Sequence, residues 1–173
     1  LRTFQQEYEA TFVNYSGMIY YNFRRDNNIV EQYKKNSGIL HIGLDFNVDP
    51  MSAGGCVIEN DRVYMIDEIQ IYSSNTNEMC DEIKTRYKRK QIVVYPDPSA
   101  RQRKTSACGI TDLAILKYNG FAVRCKNTAP LVRDRINAVK SKLKNVYGKN
   151  SLFIVKSCKN AIKSIERQIY KEG

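Results

Sequence analysis

The sequence predicts an α/β fold in which a mixed central sheet, its first three strands antiparallel, is flanked by helices. Three observations carry this. Three apolar, strand-like runs follow one another through short polar links that suit an antiparallel meander. Later strand-like runs alternate with segments whose apolar residues recur at helical spacing. Two of the strands stop at an aspartate.

Residues 1–37 mix aromatic and polar side chains (Phe4, Tyr8, Phe12, Tyr15, Tyr20, Tyr21, Phe23) and close on NNIVEQYKKNSG. They read as an N-terminal arm or inter-domain connection, leaving 38–173 as the folded domain. Ile39–Phe46, ILHIGLDF, is the first strand, with Asp45 near its end and turn chemistry in NVDP. MSAGGCVIE and RVYMIDEIQIY follow as strands two and three, separated by the turn END. Asn75 with Glu78 three residues on makes a capping box for a helix carrying Met79, Ile83 and Tyr87 before the basic KRK.

QIVVYPDPSA is a short buried strand stopping at Asp97 between two prolines, neither of which continues a central strand. TDLAILKYNG reads as a helix capped by Thr111 or Asp112 and stopped by Gly120, leading into the strand FAVRC. Pro130 suits the first turn of a helix on which Val132, Ile136, Val139 and Leu143 share a face, ending near Gly148. LFIV is a strand, and Ile162, Ile165 and Ile169 mark an amphipathic helix running to the chain end. The predicted order is β-β-β-α-β-α-β-α-β-α.

A length of 173 residues suits one domain with an appended arm and excludes a second large one. A net charge of +10 makes any polyanion a favoured partner, nucleic acid first. The five cysteines (Cys56, Cys80, Cys108, Cys125, Cys158) are far apart and odd in number, which suggests neither a zinc site nor a disulfide framework and fits a reducing compartment. No apolar run approaches the ~18 residues that span a bilayer. LRTFQQEYEA lacks a signal-peptide layout, so a soluble intracellular protein without a membrane partner is expected. GKNS at Gly148 lacks the spacing of a nucleotide-binding loop, so ATP hydrolysis is not expected of this chain. His41, the only histidine, alternates with apolar neighbours and reads as a sheet residue, which leaves no base for a nucleophilic triad.

Asp45 and Asp97 carry the chemistry. In this order of elements the first and fourth strands can lie side by side and parallel, which brings both carboxylates to one sheet edge, where loops leaving strand ends collect ligands. Two carboxylates there suit a hard divalent cation, and two such ions about 4 Å apart support in-line phosphodiester hydrolysis without a covalent intermediate. A lone Asp-Pro is ordinary turn chemistry; the pairing of the two acids favours the metal site.

GLDFNVDP, IDEIQIY, NTNEMCDEI, VVYPDPSA and LVRDRINAV, in that order, resemble landmarks of the C-terminal nuclease half of tailed-phage terminase large subunits, over residues 39 to about 170. FQQEYEATFV resembles the segment that joins the ATPase half to the nuclease. The resemblance implies a ribonuclease H-like fold and an endodeoxyribonuclease using Mg2+ or Mn2+, with two ions in the complete site. Such an enzyme cuts concatemeric viral DNA during packaging into procapsids. The implied partners are double-stranded DNA without sequence preference, the ATPase domain of the same polypeptide, the small terminase subunit and the portal. The implied location is the host cytoplasm, transiently at the procapsid portal.

By the same resemblance Asp45 is the central metal-bridging catalytic carboxylate and Asp97 the second ligand. Asp49 is an auxiliary acid or a turn cap before Pro50. Glu68 is another candidate, since strand alternation puts Val63, Asp67 and Ile69 on one face and Tyr64, Ile66 and Glu68 on the other. The family's third aspartate, on a final helix, has no counterpart before IYKEG, so the domain is expected to lack its last helix. Asp134 is the nearby candidate in a matching motif, but between Arg133 and Arg135 it is equally a surface ion pair. Arg101, Arg103 and Lys104, beside Asp97, are the expected DNA contacts. Two other readings stay open: a DNA-gripping module of the packaging motor that is weak or inactive in catalysis, and a ribonuclease H-like junction resolvase, against which the linker-like arm argues.

Overall fold

The computed structural model describes residues 17–34, 38–47, 49–88, 91–102 and 109–170. Arg103, Lys104, Cys108 and the first 16 residues of the expected arm lie outside the described residues. A one-turn helix α1 (Arg25–Asn28) and a short strand β1 (Ile29–Val30) come first. Then follow β2 (Leu40–Asp45), β3 (Met51–Glu59), β4 (Arg62–Ile71), α2 (Thr76–Arg86), β5 (Ile92–Pro96), a 3-10 turn (Pro98–Arg101) and α3 (Asp112–Tyr118). The chain continues through β6 (Ala122–Val123), α4 (Val132–Leu143), β7 (Leu152–Val155) and α5 (Lys159–Arg167). From β2 onward this is the predicted order.

Local chemistry accounts for the main turns and caps. Asn60 and Asp61 both take left-handed backbone angles (φ 47° and 64°), the tight hairpin turn that lets β3 pair with β4. Asn75 accepts the backbone N–H groups of Asn77 and Glu78 while Glu78 accepts that of Asn75, which completes the capping box of α2. Thr111 caps α3 through the N–H of Ala114, and Gly120 at φ 86° lets the chain leave it.

Two helix ends differ from expectation. α4 stops at Leu143, because Asn145 accepts the N–H groups of Tyr147 and Lys149 and holds a turn that competes with further helix. α5 stops at Arg167, and Ile169 instead forms a bridge with Met18.

The seven strands lie in the order β1-β7-β4-β3-β2-β5-β6. β3 pairs antiparallel with β2 and β4, and the remaining pairs are parallel. Burial alternates along β2: Leu40, Ile42 and Leu44 are buried, whereas His41, Gly43 and Asp45 are not. The buried set packs with Val57 and Val94 against Met79 and Ile83 of α2 and Leu116 of α3. Each such aliphatic side chain contributes roughly 1.5 to 3 kcal/mol by leaving water. A second cluster joins Leu143 of α4, Ile154 of β7 and Ile162 of α5 to Phe23.

Residues 17–34, read in the sequence as the second half of an arm, pack on this body. Ile19 and Phe23 are buried, and β1 extends the sheet edge beside β7. Asn28 is fully buried; it accepts the N–H of Arg24 and donates to the carbonyls of Leu143 and Leu152. Among the described residues no helix is long and apolar enough to cross a membrane.

Candidate metal centre

The face of β2 turned away from α2 and α3 carries His41, Gly43 and Asp45. Gly43 lies directly across from Gly54 of β3, and Asp45 across from Ser52. A Cβ added at Gly43 would meet nothing within 4 Å. Gly43 thus leaves the sheet bare at this place, while the Met65 side chain lies over Gly54, and the floor of a cleft of about 590 Å³ is formed there.

β5 brings the second acid. Leu44 pairs with Pro96, and the backbone N–H of Asp97 donates to the carbonyl of Leu44 at 3.1 Å, so Asp97 enters the rung beside Asp45. Both aspartates line the cleft, at the carboxyl ends of parallel neighbouring strands, as the order of elements predicts. Asp45 accepts a hydrogen bond from the Asn47 amide at 2.8 Å. Asp97 accepts the N–H of Ser99 at 2.9 Å, capping the 3-10 turn that Pro98 starts. Each carboxylate is oriented by one neighbour and keeps further lone pairs for a ligand.

Glu68 also lines the cleft, but for a reason the alternation along β4 does not contain. Asp67 pairs with Gly55 and Met65 with Cys56, so Ile66 is an extra residue in a β-bulge. Beyond the bulge the parity reverses: Met65 and Glu68 line the cleft together, while Asp67 accepts from the Tyr87 hydroxyl at 2.7 Å on the α2 side. Burial, assisted by Asp67, pushes the Tyr87 phenol above its ordinary range. Both Glu68 oxygens are engaged, accepting the N–H groups of Asn160 (2.9 Å) and Ala161 (2.8 Å) at the start of α5.

The other candidates lie elsewhere. Asp49 is exposed, accepts the N–H of Ser73 at 3.1 Å, and does not line the cleft. Asp134, on the first turn of α4, is 58% exposed and 3.9 Å from the Arg133 guanidinium. Arg101 donates to the carbonyls of Cys125 and Lys126, which ties its guanidinium to the loop after β6. His41 lies 3.0 Å from the Tyr95 hydroxyl; burial and then the Arg124 cation hold its pKa below the usual value, so it is neutral near pH 7.

Arg135, together with Asn160 and Ser164 of α5, lines the cleft without having been singled out in the sequence. The available signal was two arginines in the opening turns of one helix, where the helix dipole disfavours cations.

Among the described residues no group of three or more His, Cys, Asp or Glu side chains stands ready to hold a metal ion. What the cleft offers is hard oxygen: two carboxylates with the Ser52 side chain across from Asp45. Magnesium and manganese are suited to such a set, because one or two carboxylates, water and substrate phosphate complete their coordination.

No protein-family model matches the sequence, and no curated protein does. Solved structures do match. The large terminase of a thermophilic bacteriophage superposes over 90% of this chain at TM-score 0.73 and 20% identity, and the match spans 38% of that protein. The large terminase nuclease of thermophilic phage G20c, with bound magnesium, matches at TM-score 0.61 and 13% identity over 91% of this chain and 83% of that one. The nuclease domain of the bacteriophage SPP1 large terminase, with bound Mn, matches at 0.53 and 16% over 89% and 82%. The chain therefore has the fold of large terminase nuclease domains, the ribonuclease H-like arrangement that the resemblance implies.

Proposed function

We propose that this chain is a divalent-metal-dependent endodeoxyribonuclease, the nuclease part of a large terminase, which cuts concatemeric viral DNA during genome packaging. The observation that carries the reading is the placement of Asp45 and Asp97 side by side at the carboxyl ends of β2 and β5, over a floor of facing glycines. Its support from outside the chain is the shared fold with nucleases crystallised with magnesium and with Mn.

Asp45 and Asp97 would hold the cation, and Asn47 and the Ser99 N–H keep their carboxylates aimed. A bound Mg2+ or Mn2+ would polarise a phosphoryl oxygen, lower the pKa of a bound water and orient it for attack. The open floor at Gly43 admits a sugar-phosphate backbone to the level of the carboxylates. Glu68 fixes α5 against β4 and thereby sets the far wall.

The charge of +10 favours double-stranded DNA through its phosphates, without reading sequence. The proposed assembly is with the ATPase part of the same polypeptide, the small terminase subunit and the portal, in the host cytoplasm.

Plasmid cleavage in Mg2+ and in Mn2+ by the wild-type chain, by Asp45→Asn and by Asp97→Asn tests the reading. Cleavage by the wild type alone supports it. DNA binding without cleavage in either metal would replace it with a DNA-gripping module, and preference for branched over linear duplex with a junction resolvase.

A further inference from the structure

We infer that Arg135 is a catalytic residue of this cleft, donating its guanidinium to a non-bridging oxygen of the scissile phosphate; the inference rests on the nuclease reading above. Three observations carry it.

The first is availability. Most of the other arginines with visible partners are committed: Arg25 to Glu166, Arg86 to Asp67 and Glu82, and Arg101 to two carbonyls. Arg133 lies beside Asp134. Arg135 is exposed, and its charge partner among the described residues is the Tyr20 phenol, not a carboxylate.

The second is location. Arg135 is the only cationic side chain among the described residues that line the cleft of Asp45 and Asp97. It stands at the fourth position of α4, where the positive end of the helix dipole opposes a cation. Its placement therefore works against helix stability and adds to the positive potential over the cleft; local rules broken in this way mark functional sites.

The third is charge. Glu68 is engaged by the N–H groups of α5, so Asp45 and Asp97 are the carboxylates left free to meet a cation and a phosphodiester. In hydrolysis the water oxygen bonds to phosphorus and one P–O ester bond breaks. One proton of the water goes to solvent, and the departing oxygen takes up a proton in return. The phosphorane between these events carries one more negative charge than the diester. A planar guanidinium presents two parallel donors to such oxygens and keeps its charge at any working pH. Arg135 thus contributes more in the transition state than in the bound substrate.

The test uses the whole chain as wild type, Arg135→Gln, Arg135→Lys, Asp45→Asn and, as a distant cation control, Lys117→Gln. Single-turnover cleavage of a duplex in Mn2+ is measured, with DNA affinity across a salt series. Arg135→Gln is expected to slow cleavage about 100-fold, the scale of losing one donor to a developing oxyanion. Arg135→Lys should recover part of that loss, and Lys117→Gln should leave the rate unchanged. The salt slope of binding should fall by about one in Arg135→Gln, as for the loss of one phosphate contact.

Wild-type cleavage that Asp45→Asn abolishes but Arg135→Gln leaves intact overturns the inference and spares the nuclease reading. Absence of wild-type cleavage overturns the nuclease reading and the catalytic role of Arg135 together. An unchanged salt slope in Arg135→Gln overturns the phosphate contact as well.

Discussion

Gly43 of β2 faces Gly54 of β3 across one rung of the sheet, and the space above Gly43 is open. Gly43→Val adds a side chain suited to a strand, yet one that stands up into the cleft that both aspartates line. Thermal melts should place the variant within about 1 kcal/mol of wild type, since nothing is displaced. Cleavage should fall at least tenfold. A variant that melts early would mean that the floor, not the access, was damaged.

Asp45→Asn and Asp97→Asn each retain a side-chain oxygen that can accept from Asn47 or from the Ser99 N–H. Both should fold as wild type does. The melting shift that Mn2+ produces by binding the folded state should shrink in each. Mn2+ should also support more cleavage than Mg2+ in the wild type, because Mg2+ demands near-ideal octahedral geometry and gives up its waters reluctantly. Equal shifts in wild type and both variants would remove the aspartates from the site.

Glu68→Gln separates a structural role from metal ligation. The carboxylate accepts two N–H groups of α5, and an amide can accept only through its one oxygen, leaving a donor opposed to a donor. A loss of about 1 to 2 kcal/mol in urea unfolding is expected, on the scale of an N-cap deletion. The Mn2+-induced melting shift should persist. If that shift disappears while stability holds, Glu68 is a ligand.

Asn28→Leu tests whether residues 17–34 belong to the folded unit. The substitution strips the carbonyls of Leu143 and Leu152 of their amide donor. Leaving them buried without a partner should cost about 2 kcal/mol or more. Unfolding should stay a single transition, followed by circular dichroism. A stability equal to wild type would make the segment a passive arm.

Alkaline pH should weaken the fold in a definite window. Burial pushes the thiols of Cys56 and Cys80 up to about 11 and that of Cys158 to about 12, from an ordinary 9.0. Below pH 9 these thiols are protonated in both states. Above it the unfolded chain releases protons that the folded chain retains, so stability declines from pH 9 to about 11 or 12. Urea midpoints at pH 8, 9 and 10 check this, and replacing the three cysteines with alanine should flatten the decline.

The order of elements from β2 to α5 and the pairing of Asp45 with Asp97 are legible in the amino-acid sequence. Both depend on local rules: period-2 and period-3.6 apolar patterns, the Asn75–Glu78 box, turn residues at Asn60–Asp61, and proline ending β5. Once β2 and β5 are parallel neighbours, their register puts the two aspartates together.

What stands around the two aspartates follows from long-range packing. The bulge at Ile66 reverses the parity of β4, and it arises from a mismatch between two strands rather than from either alone. The packing of residues 17–34 depends on Asn28 reaching carbonyls more than 100 positions away. Arg135 reaches the cleft because α4, which contacts β7, brings its opening turns there. Arg101, nearer to Asp97 in sequence, is drawn off by the carbonyls of Cys125 and Lys126. A residue's neighbours along the chain set its backbone, whereas the partners that engage or free its charge come from wherever the fold brings them.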